Sequence, residues 1–204
     1  MNKVKVRSKS DEKRQLILAA ASECFCDKGF LSTSMDHIAK TAGVSKQTVY
    51  SHFGNKDDLF IAAIEGRCQE FRMSSLPKSQ LQNPEMALLS FAHGFVDLLL
   101  SEEGMSIHRI CISESQTNSN ISQLFFKAGP EPVIKELADL FASYGEQGVL
   151  KIDNPHTAAI QFLSVIKGEA VMRREYNTAQ QVSDSQKNSY INDTVKMFLR
   201  AYRP

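Results

Sequence analysis

The chain has 204 residues, of which 42% are hydrophobic and 23% charged, a composition typical of a globular protein with one large domain or a small domain joined to a larger one. The polar, basic residues 1–14 do not resemble a signal peptide, and the longest strongly apolar stretch, residues 91–100, is too short to span a bilayer, so we expect a cytoplasmic protein without a membrane partner. The overall charge of +1 divides into +5 over residues 1–56 and −4 over residues 57–204, and such a basic segment suits a polyanionic partner.

Helical periodicity runs through almost the whole chain, and no segment shows the alternation of a β-strand. The pattern predicts four N-terminal helices, over residues 10–28, 35–41, 45–53 and from 55 towards 71. Their expected caps are Gly29, which can take a positive φ, and the polar residues Thr33, Ser45 and Asn55. Asp36 stands at the capping-box position of the second helix.

The remainder of the chain follows a polar loop over residues 74–84. Further helices are predicted over residues 85–101, 105–116, 120–147, 155–176 and 184–202, and Pro130 and Pro132 must begin or kink a helix within the third of these segments. The sequence therefore predicts an all-α fold with two domains. Residues 1–56 form a small three-helix domain with a basic N-terminal arm, and residues 57–204 form a larger helical domain.

The second and third helices have the dimensions of a helix-turn-helix: seven residues, a turn that contains Gly43, and eight residues. At about 100° per residue, Val49 and Phe53 define the buried side of the third helix. Gln47, Thr48 and Ser51 then point away from it, while Tyr50 and His52 lie on its flanks.

This outward face carries short hydrogen-bonding side chains and no acidic residue between Ser45 and Phe53. Gln47 can pair with adenine, and the methyl group of Thr48 can contact that of thymine. Lys46 suits either a guanine or a phosphate, and Lys56 lies beside the N-terminus of the fourth helix, which favours anions. An ordinary solvated face is the alternative, but such faces usually carry more Glu and Lys.

The run from Ile17 to Phe60 resembles the DNA-binding domain of the TetR/AcrR family of bacterial repressors. The resemblance lies in three ordered motifs: the S-x-x-x-IA segment at 34–39, AGVSKQTVYSHF at 42–53 and K-x-x-L at 56–59. It implies base contacts from Lys46, Gln47 and Thr48, and phosphate contacts from Thr33, Tyr50, His52 and Lys56. With Ser34, Ser45 and Ser51, these residues form the predicted DNA interface.

The resemblance also implies a helical C-terminal domain that dimerises and holds a small ligand, and residues 125–130 resemble an AefR-type domain. A ligand pocket needs apolar walls with a few polar groups. The candidate lining residues are Phe91, Phe95, Met105, His108, Cys111, Glu114, Phe125, Phe162, Ile166 and Glu169. Aromatic and Met residues at helical spacing are more often plain core, so a filled interior without a ligand is the alternative.

Catalytic and metal-binding motifs are absent from the sequence. It contains no GxSxG, HExxH, P-loop or dinucleotide-binding GxGxxG motif, and the four cysteines form neither a CxxC pair nor a zinc-like cluster. We therefore expect no enzyme activity, no metal and no cofactor. An enzyme whose site is assembled from the five scattered histidines is the rival class.

The sequence thus predicts a DNA-binding transcriptional regulator. We expect a homodimer that binds a palindromic operator in double-stranded DNA, and a repressor that a small apolar or amphipathic inducer releases. The alternative is a regulator with a filled C-terminal core and no inducer.

Overall fold

The computed structural model describes residues 8–69 and 76–204, which form twelve helices and no strand. The first six helices are α1 (Lys9–Ser32), α2 (Met35–Thr41), α3 (Lys46–Phe53), α4 (Lys56–Gln69), α5 (Lys78–Leu81) and α6 (Pro84–Leu100). The other six are α7 (Glu102–Glu114), α8 (Ser119–Ala128), α9 (Pro130–Glu146), α10 (Pro155–Ile166), α11 (Gly168–Glu175) and α12 (Asp184–Ala201). The all-α prediction is confirmed. The predicted arm residues Lys3, Lys5 and Arg7 and the predicted helical Phe71 lie outside the described residues.

Two predicted segments are each divided into two helices. The segment over residues 120–147 separates into α8 and α9 at Gly129, directly before Pro130, whose ring fits the first turn of a helix. The segment over residues 155–176 separates into α10 and α11 at Gly168, where φ is +56°. The first break falls where Pro130 was predicted to begin or kink a helix. Hydrophobic periodicity continued across the second break, which is why the sequence pattern did not separate α10 from α11.

Of the described residues, 8–66 form one compact unit together with Ser106–Ala128. Its core contains the rings of Phe25, Phe30 and Phe60, whose centroids lie 5.0–5.7 Å apart. Leu59 and Ile121 are also fully buried. The first half of α4 therefore contributes to the N-terminal core, where Leu59 and Phe60 are fully buried.

The second compact unit comprises the described residues 67–69 and 76–105 together with Gly129–Pro204. Phe141, Phe162 and Phe198 form its aromatic centre, with ring centroids 5.0–6.3 Å apart. Phe91 joins them 6.3 Å from Phe162 and stacks on Phe95. Across the described residues, no helix combines the length and apolarity that a membrane span requires.

Gly168 occupies the break between α10 and α11 and lies directly under the ring of Tyr190. A Cβ atom there would lie 2.4 Å from Cε1 of Tyr190, in a backbone conformation that L-residues disfavour. The Tyr190 hydroxyl donates a 2.6 Å hydrogen bond to the carbonyl of Val165 at the end of α10. The glycine therefore permits both the break and the tyrosine that satisfies a carbonyl beside it.

We predict that Gly168→Ala destabilises the protein by roughly 2–5 kcal/mol, because it combines backbone strain with overpacking against Tyr190. Gly148→Ala is the matched control, since Gly148 also has a positive φ of +68° but no atom near its Cβ position. Strain alone should cost this control about 1–2 kcal/mol. Urea unfolding of both variants measures the difference, and equal losses would contradict the contact with Tyr190.

Candidate nucleic-acid interface

The two helices of the helix-turn-helix motif are each fixed by a serine cap. The Ser34 side chain accepts a 3.2 Å hydrogen bond from the amide of His37 at the start of α2, and Ser45 accepts one of 3.2 Å from the amide of Thr48 at the start of α3. These bonds satisfy amides that have no partner within the helix. The predicted Ser45 cap is confirmed, whereas the cap of α2 is Ser34 and not Thr33, so Asp36 is not at a capping-box position.

The inner side of α3 is buried as the helical angles predict. Val49 is completely buried and Phe53 nearly so, while Ile38 and Ala39 of α2 belong to the same buried set. The guanidinium carbon of Arg14 in α1 lies 5.1 Å from the centroid of the Phe53 ring. Packing thus fixes the rotation of α3 about its axis and leaves its opposite side exposed.

Hydrogen-bonding groups occupy that exposed side. Lys46, Gln47, Tyr50 and Ser51 are exposed, and Thr48 and His52 are half-buried. The Ser45 and Thr48 hydroxyl oxygens lie 2.8 Å apart, and Ser51 donates a hydrogen bond to the carbonyl of Thr48. The face therefore presents one flexible amide and one cation among locally fixed hydroxyl groups, and α3 contains no acidic side chain.

Lys46 already has a partner on α2. Its ammonium lies 2.7 Å from a carboxylate oxygen of Asp36 and 5.8 Å from the centroid of the Tyr50 ring. The hydrogen bond with Asp36 and the charge of that carboxylate raise the pKa of Lys46, so it stays cationic. Any DNA group that binds Lys46 must compete with an exposed ion pair, which is a weak competitor.

Thr33 is a correction to the predicted interface. It is only 2% exposed, and its hydroxyl donates hydrogen bonds to the carbonyls of Cys24 (3.0 Å) and Gly29 (2.7 Å). The side chain is therefore directed into α1, where helix-terminal carbonyls lack partners, and it does not face solvent where a phosphate would lie.

Lys56 also makes its contacts inside the protein. Its ammonium donates to the carbonyls of Phe30 (2.8 Å) and Thr33 (3.0 Å) and lies 4.3 Å from the centroid of the Phe30 ring. Burial lowers the pKa of this ammonium, and the charges of Asp57 and Glu114 act against that shift. In this structure Lys56 caps the end of α1. To make its predicted phosphate contact, it would have to give up these hydrogen bonds to the carbonyls.

Glu114, the last residue of α7, contacts the same part of α1. Its carboxylate accepts a hydrogen bond from the amide of Leu31, with donor–acceptor distances of 3.3 and 3.5 Å to the two oxygens. A Cβ atom on Gly29 would lie 2.5 Å from one of those oxygens. Glu114 was predicted as a pocket residue, and sequence reasoning gave no sign of its contact with α1, which lies 83 residues earlier.

The ten predicted pocket residues are divided between the two compact units. Phe91, Phe95, Met105, Phe162, Ile166 and Glu169 belong to the second unit, and His108, Cys111, Glu114 and Phe125 belong to the first. Phe91 and Phe162 are packed in the aromatic core of the second unit, and the His108 and Phe125 rings lie 6.4 Å apart in the first. Burial, helped by the charge of Glu114, raises the pKa of Cys111 to about 12, so this thiol is neutral and unreactive.

The second unit contains a cleft of about 200 Å³. Ile166 and Glu169 are the predicted pocket residues that line it. Its other walls combine apolar side chains with amides and charges: Val96, Lys167, Ala170, Arg173, Gln180, Gln181, Val182, Gln186, Lys187, Tyr190 and Ile191. Lys187 is paired with Asp97 at 2.7 Å and Asp184 at 3.2 Å, and Arg173 with Glu169 at 2.6 Å, so most of the charge is locally neutralised.

Metal binding has no candidate among the residues that the structure describes, since they contain no group of three His, Cys, Asp or Glu side chains placed to hold an ion. None of the four cysteines forms a disulfide.

Two family models together match most of the chain. Residues 17–63 match the bacterial regulatory proteins of the tetR family, and residues 86–204 match the C-terminal domain of AefR-like transcriptional repressors. Among curated relatives, the transcriptional activator FasR of Mycolicibacterium smegmatis is 47% identical over 55 residues, which are 27% of this chain and 25% of FasR. The uncharacterized regulator YhgD of Bacillus subtilis is 26% identical over 140 residues, which are 69% of this chain and 71% of YhgD.

Solved structures with the same fold extend the likeness to the full chain. The flavonoid-responsive regulator FrrA has a TM-score of 0.72 and 32% identity, with 95% of this chain and 98% of FrrA covered. A TetR-family regulator from Mesorhizobium loti has a TM-score of 0.77 at 24% identity, with 97% of this chain and all of the other covered.

Proposed function

Because the chain belongs to the TetR family of bacterial transcriptional regulators, we propose that it is a cytoplasmic homodimeric repressor that binds a palindromic operator and leaves it when a small amphipathic ligand binds. Residues 1–56 supply DNA recognition in this proposal, and residues 57–204 supply dimerisation and ligand response. The carrying observation is the exposed, acid-free side of α3, held by a serine cap and a buried Val49. The relatives are regulators, and we propose no catalytic activity for this chain.

The direction of regulation rests on the C-terminal domain. FasR is named an activator, but its match is confined to 55 residues. The AefR-like repressor model matches residues 86–204, the part of the chain where a ligand and a second subunit would act. We therefore propose repression.

For the DNA contacts, we propose that Lys46, Gln47 and Thr48 read bases and that Tyr50, Ser51 and His52 contact the backbone. Ser34 and Ser45 act by capping α2 and α3, with their hydroxyls close to the same surface. Short polar side chains at the start of a recognition helix are the groups that reach base edges in the major groove.

We predict that Gln47→Ala changes which bases are tolerated at one operator position and weakens binding to the best site by about 1–3 kcal/mol. Selection from a random duplex library, followed by anisotropy titration, measures both effects. Gln123→Ala is the matched control, because Gln123 is an exposed glutamine of α8 in the same compact unit. An unchanged base preference for Gln47→Ala would contradict base reading by this residue.

The proposed dimer interface uses α10 and α12. Both helices carry exposed apolar side chains, including Ile160 on α10 and Tyr190 and Met197 on α12. Tyr190 and Met197 are seven residues apart, so they lie on one side of the helix. An exposed apolar surface of this kind favours association with a second copy about a two-fold axis.

We predict that Met197→Arg converts the dimer to a monomer at micromolar concentration, because the dimer would bury the arginine charge in the apolar interface with the second copy. Met86→Arg is the control. Met86 is about as exposed as Met197 (49% against 52%), but it lies on α6, outside the proposed interface. Analytical ultracentrifugation gives the result. A wild-type monomer, or equal effects of the two variants, would contradict the proposed interface.

We propose that the cleft beside α11 binds the ligand. It combines buried Ile166 and Ile191 with amide groups such as Gln180, which suits a small molecule with apolar rings and hydroxyl groups. The similarity to FrrA, whose name describes a response to flavonoids, supports a ligand of that character.

We predict that a flavonoid such as quercetin raises the melting temperature of the wild-type protein, because it binds the folded state. It should also weaken operator binding, because an inducer binds the DNA-free state more tightly than the DNA-bound state. Ala170→Phe should abolish the shift, because Ala170 lines the cleft and a phenyl ring would fill it. Met172→Phe, on the same helix but exposed, should keep it. If no flavonoid raises the melting temperature of the wild-type protein, this ligand class is wrong. Operator binding without such a shift would then favour a regulator that has no inducer of this kind.

A further inference from the structure

The helical backbone of α1 is broken at Gly29, where φ is +79° and ψ is 170°. The break lies between the long part of α1 and the start of α2, so its geometry sets the direction in which the chain enters the helix-turn-helix. A helix end leaves amides and carbonyls without intrahelical partners, and side chains or water must supply them. The partners of this break therefore control where α2 and α3 lie.

Three side chains, from the α1–α2 connection, α4 and α7, supply those partners. Thr33 satisfies the carbonyls of Cys24 and Gly29, and Lys56 of α4 satisfies those of Phe30 and Thr33. Both of these residues lie within or beside the DNA-binding motif.

Glu114 is the third, and it comes from α7, outside that motif. It is the last residue of its helix, where a negative charge opposes the helix dipole. The hydrogen bond from the Leu31 amide and the charge of Lys56 offset this unfavourable placement. Gly29 provides the space for the carboxylate, since any larger residue there would overlap it.

We propose that Glu114 is a positioning residue for DNA recognition: its carboxylate holds the α1–α2 joint in the geometry from which α3 reads bases. This inference rests on the proposed function, because it requires α3 to read DNA. Glu114 itself contacts no DNA in this mechanism and acts through Leu31 and Gly29.

The sign of the effect distinguishes positioning from simple electrostatics. Removal of a carboxylate makes the protein more positive, which by charge alone would strengthen DNA binding. Loss of the joint geometry should weaken it. A change at Glu114 removes no phosphate contact, so the slope of log K against log salt should stay the same.

The experiment compares Glu114→Ala and Glu114→Gln with wild-type protein and with Glu65→Ala, which removes an exposed carboxylate of α4 in the same compact unit. The probe is the duplex that the full-length wild-type protein enriches from a random library. Glu114→Ala should bind it about ten-fold more weakly at an unchanged salt slope. Glu114→Gln, which can still accept the Leu31 hydrogen bond, should lose less, and Glu65→Ala should bind as wild type or slightly tighter.

Thermal unfolding and stoichiometric titration give the folded, active fraction of each variant, so that affinities refer to folded protein. Equal or tighter binding by folded Glu114→Ala would overturn the inference while leaving the proposed function in place. A slope reduced by about one would also overturn it, because Glu114 would then be acting on the phosphate contacts. If the wild-type protein enriched no sequence, the proposed function itself would fail, and the inference with it. If Glu114→Ala does not fold, Glu114→Gln decides by the same criteria.

Discussion

The DNA-reading part of this molecule depends on how the polar groups at the break in α1 are satisfied. Gly29 interrupts the helix, and the amides and carbonyls at the break lack intrahelical partners. Thr33, Lys56 and Glu114 provide them from different parts of the chain. An ordinary helix end would be satisfied by water, whereas this one is satisfied by side chains that tie α1, α4 and α7 together.

These contacts explain why two side chains of the predicted DNA interface lie elsewhere in the structure. The resemblance to known repressors implied phosphate contacts from Thr33 and Lys56, and both side chains are instead engaged with the backbone of α1. The residues of α3 are different, because only Val49 and Phe53 are used for packing and the remaining polar groups face outward. The divided roles follow from position: side chains next to the joint stabilise it, and those beyond it are available to a partner.

The helices and the orientation of α3 could be predicted because they depend on local physics. Helical periodicity placed almost every helix, and the Ser45 cap and the burial of Val49 follow from residues within one or two turns of each other. The break before α9 also had a local signal, which is Pro130. The contact of Glu114 with Leu31 and the ring of Tyr190 over Gly168 depend instead on contacts between distant segments. A single sequence carries no local signal for such contacts beyond the presence of a glycine.

The excess of positive charge in residues 1–56 overstates the number of cations available to DNA. Lys56 is bound to carbonyls, Lys46 to Asp36, and Lys28 donates to His37 at 2.9 Å. Each engaged ammonium must exchange a protein partner for a phosphate before it can release counterions, so it contributes less to affinity than a free one. In the proposed interface, specificity then rests more heavily on the uncharged Gln47 and Thr48, because the hydrogen bonds and methyl contact proposed for them depend on position to within a fraction of an ångström. An interface of that kind needs a rigid joint behind it, and the closure of the α1 break by three side chains provides one.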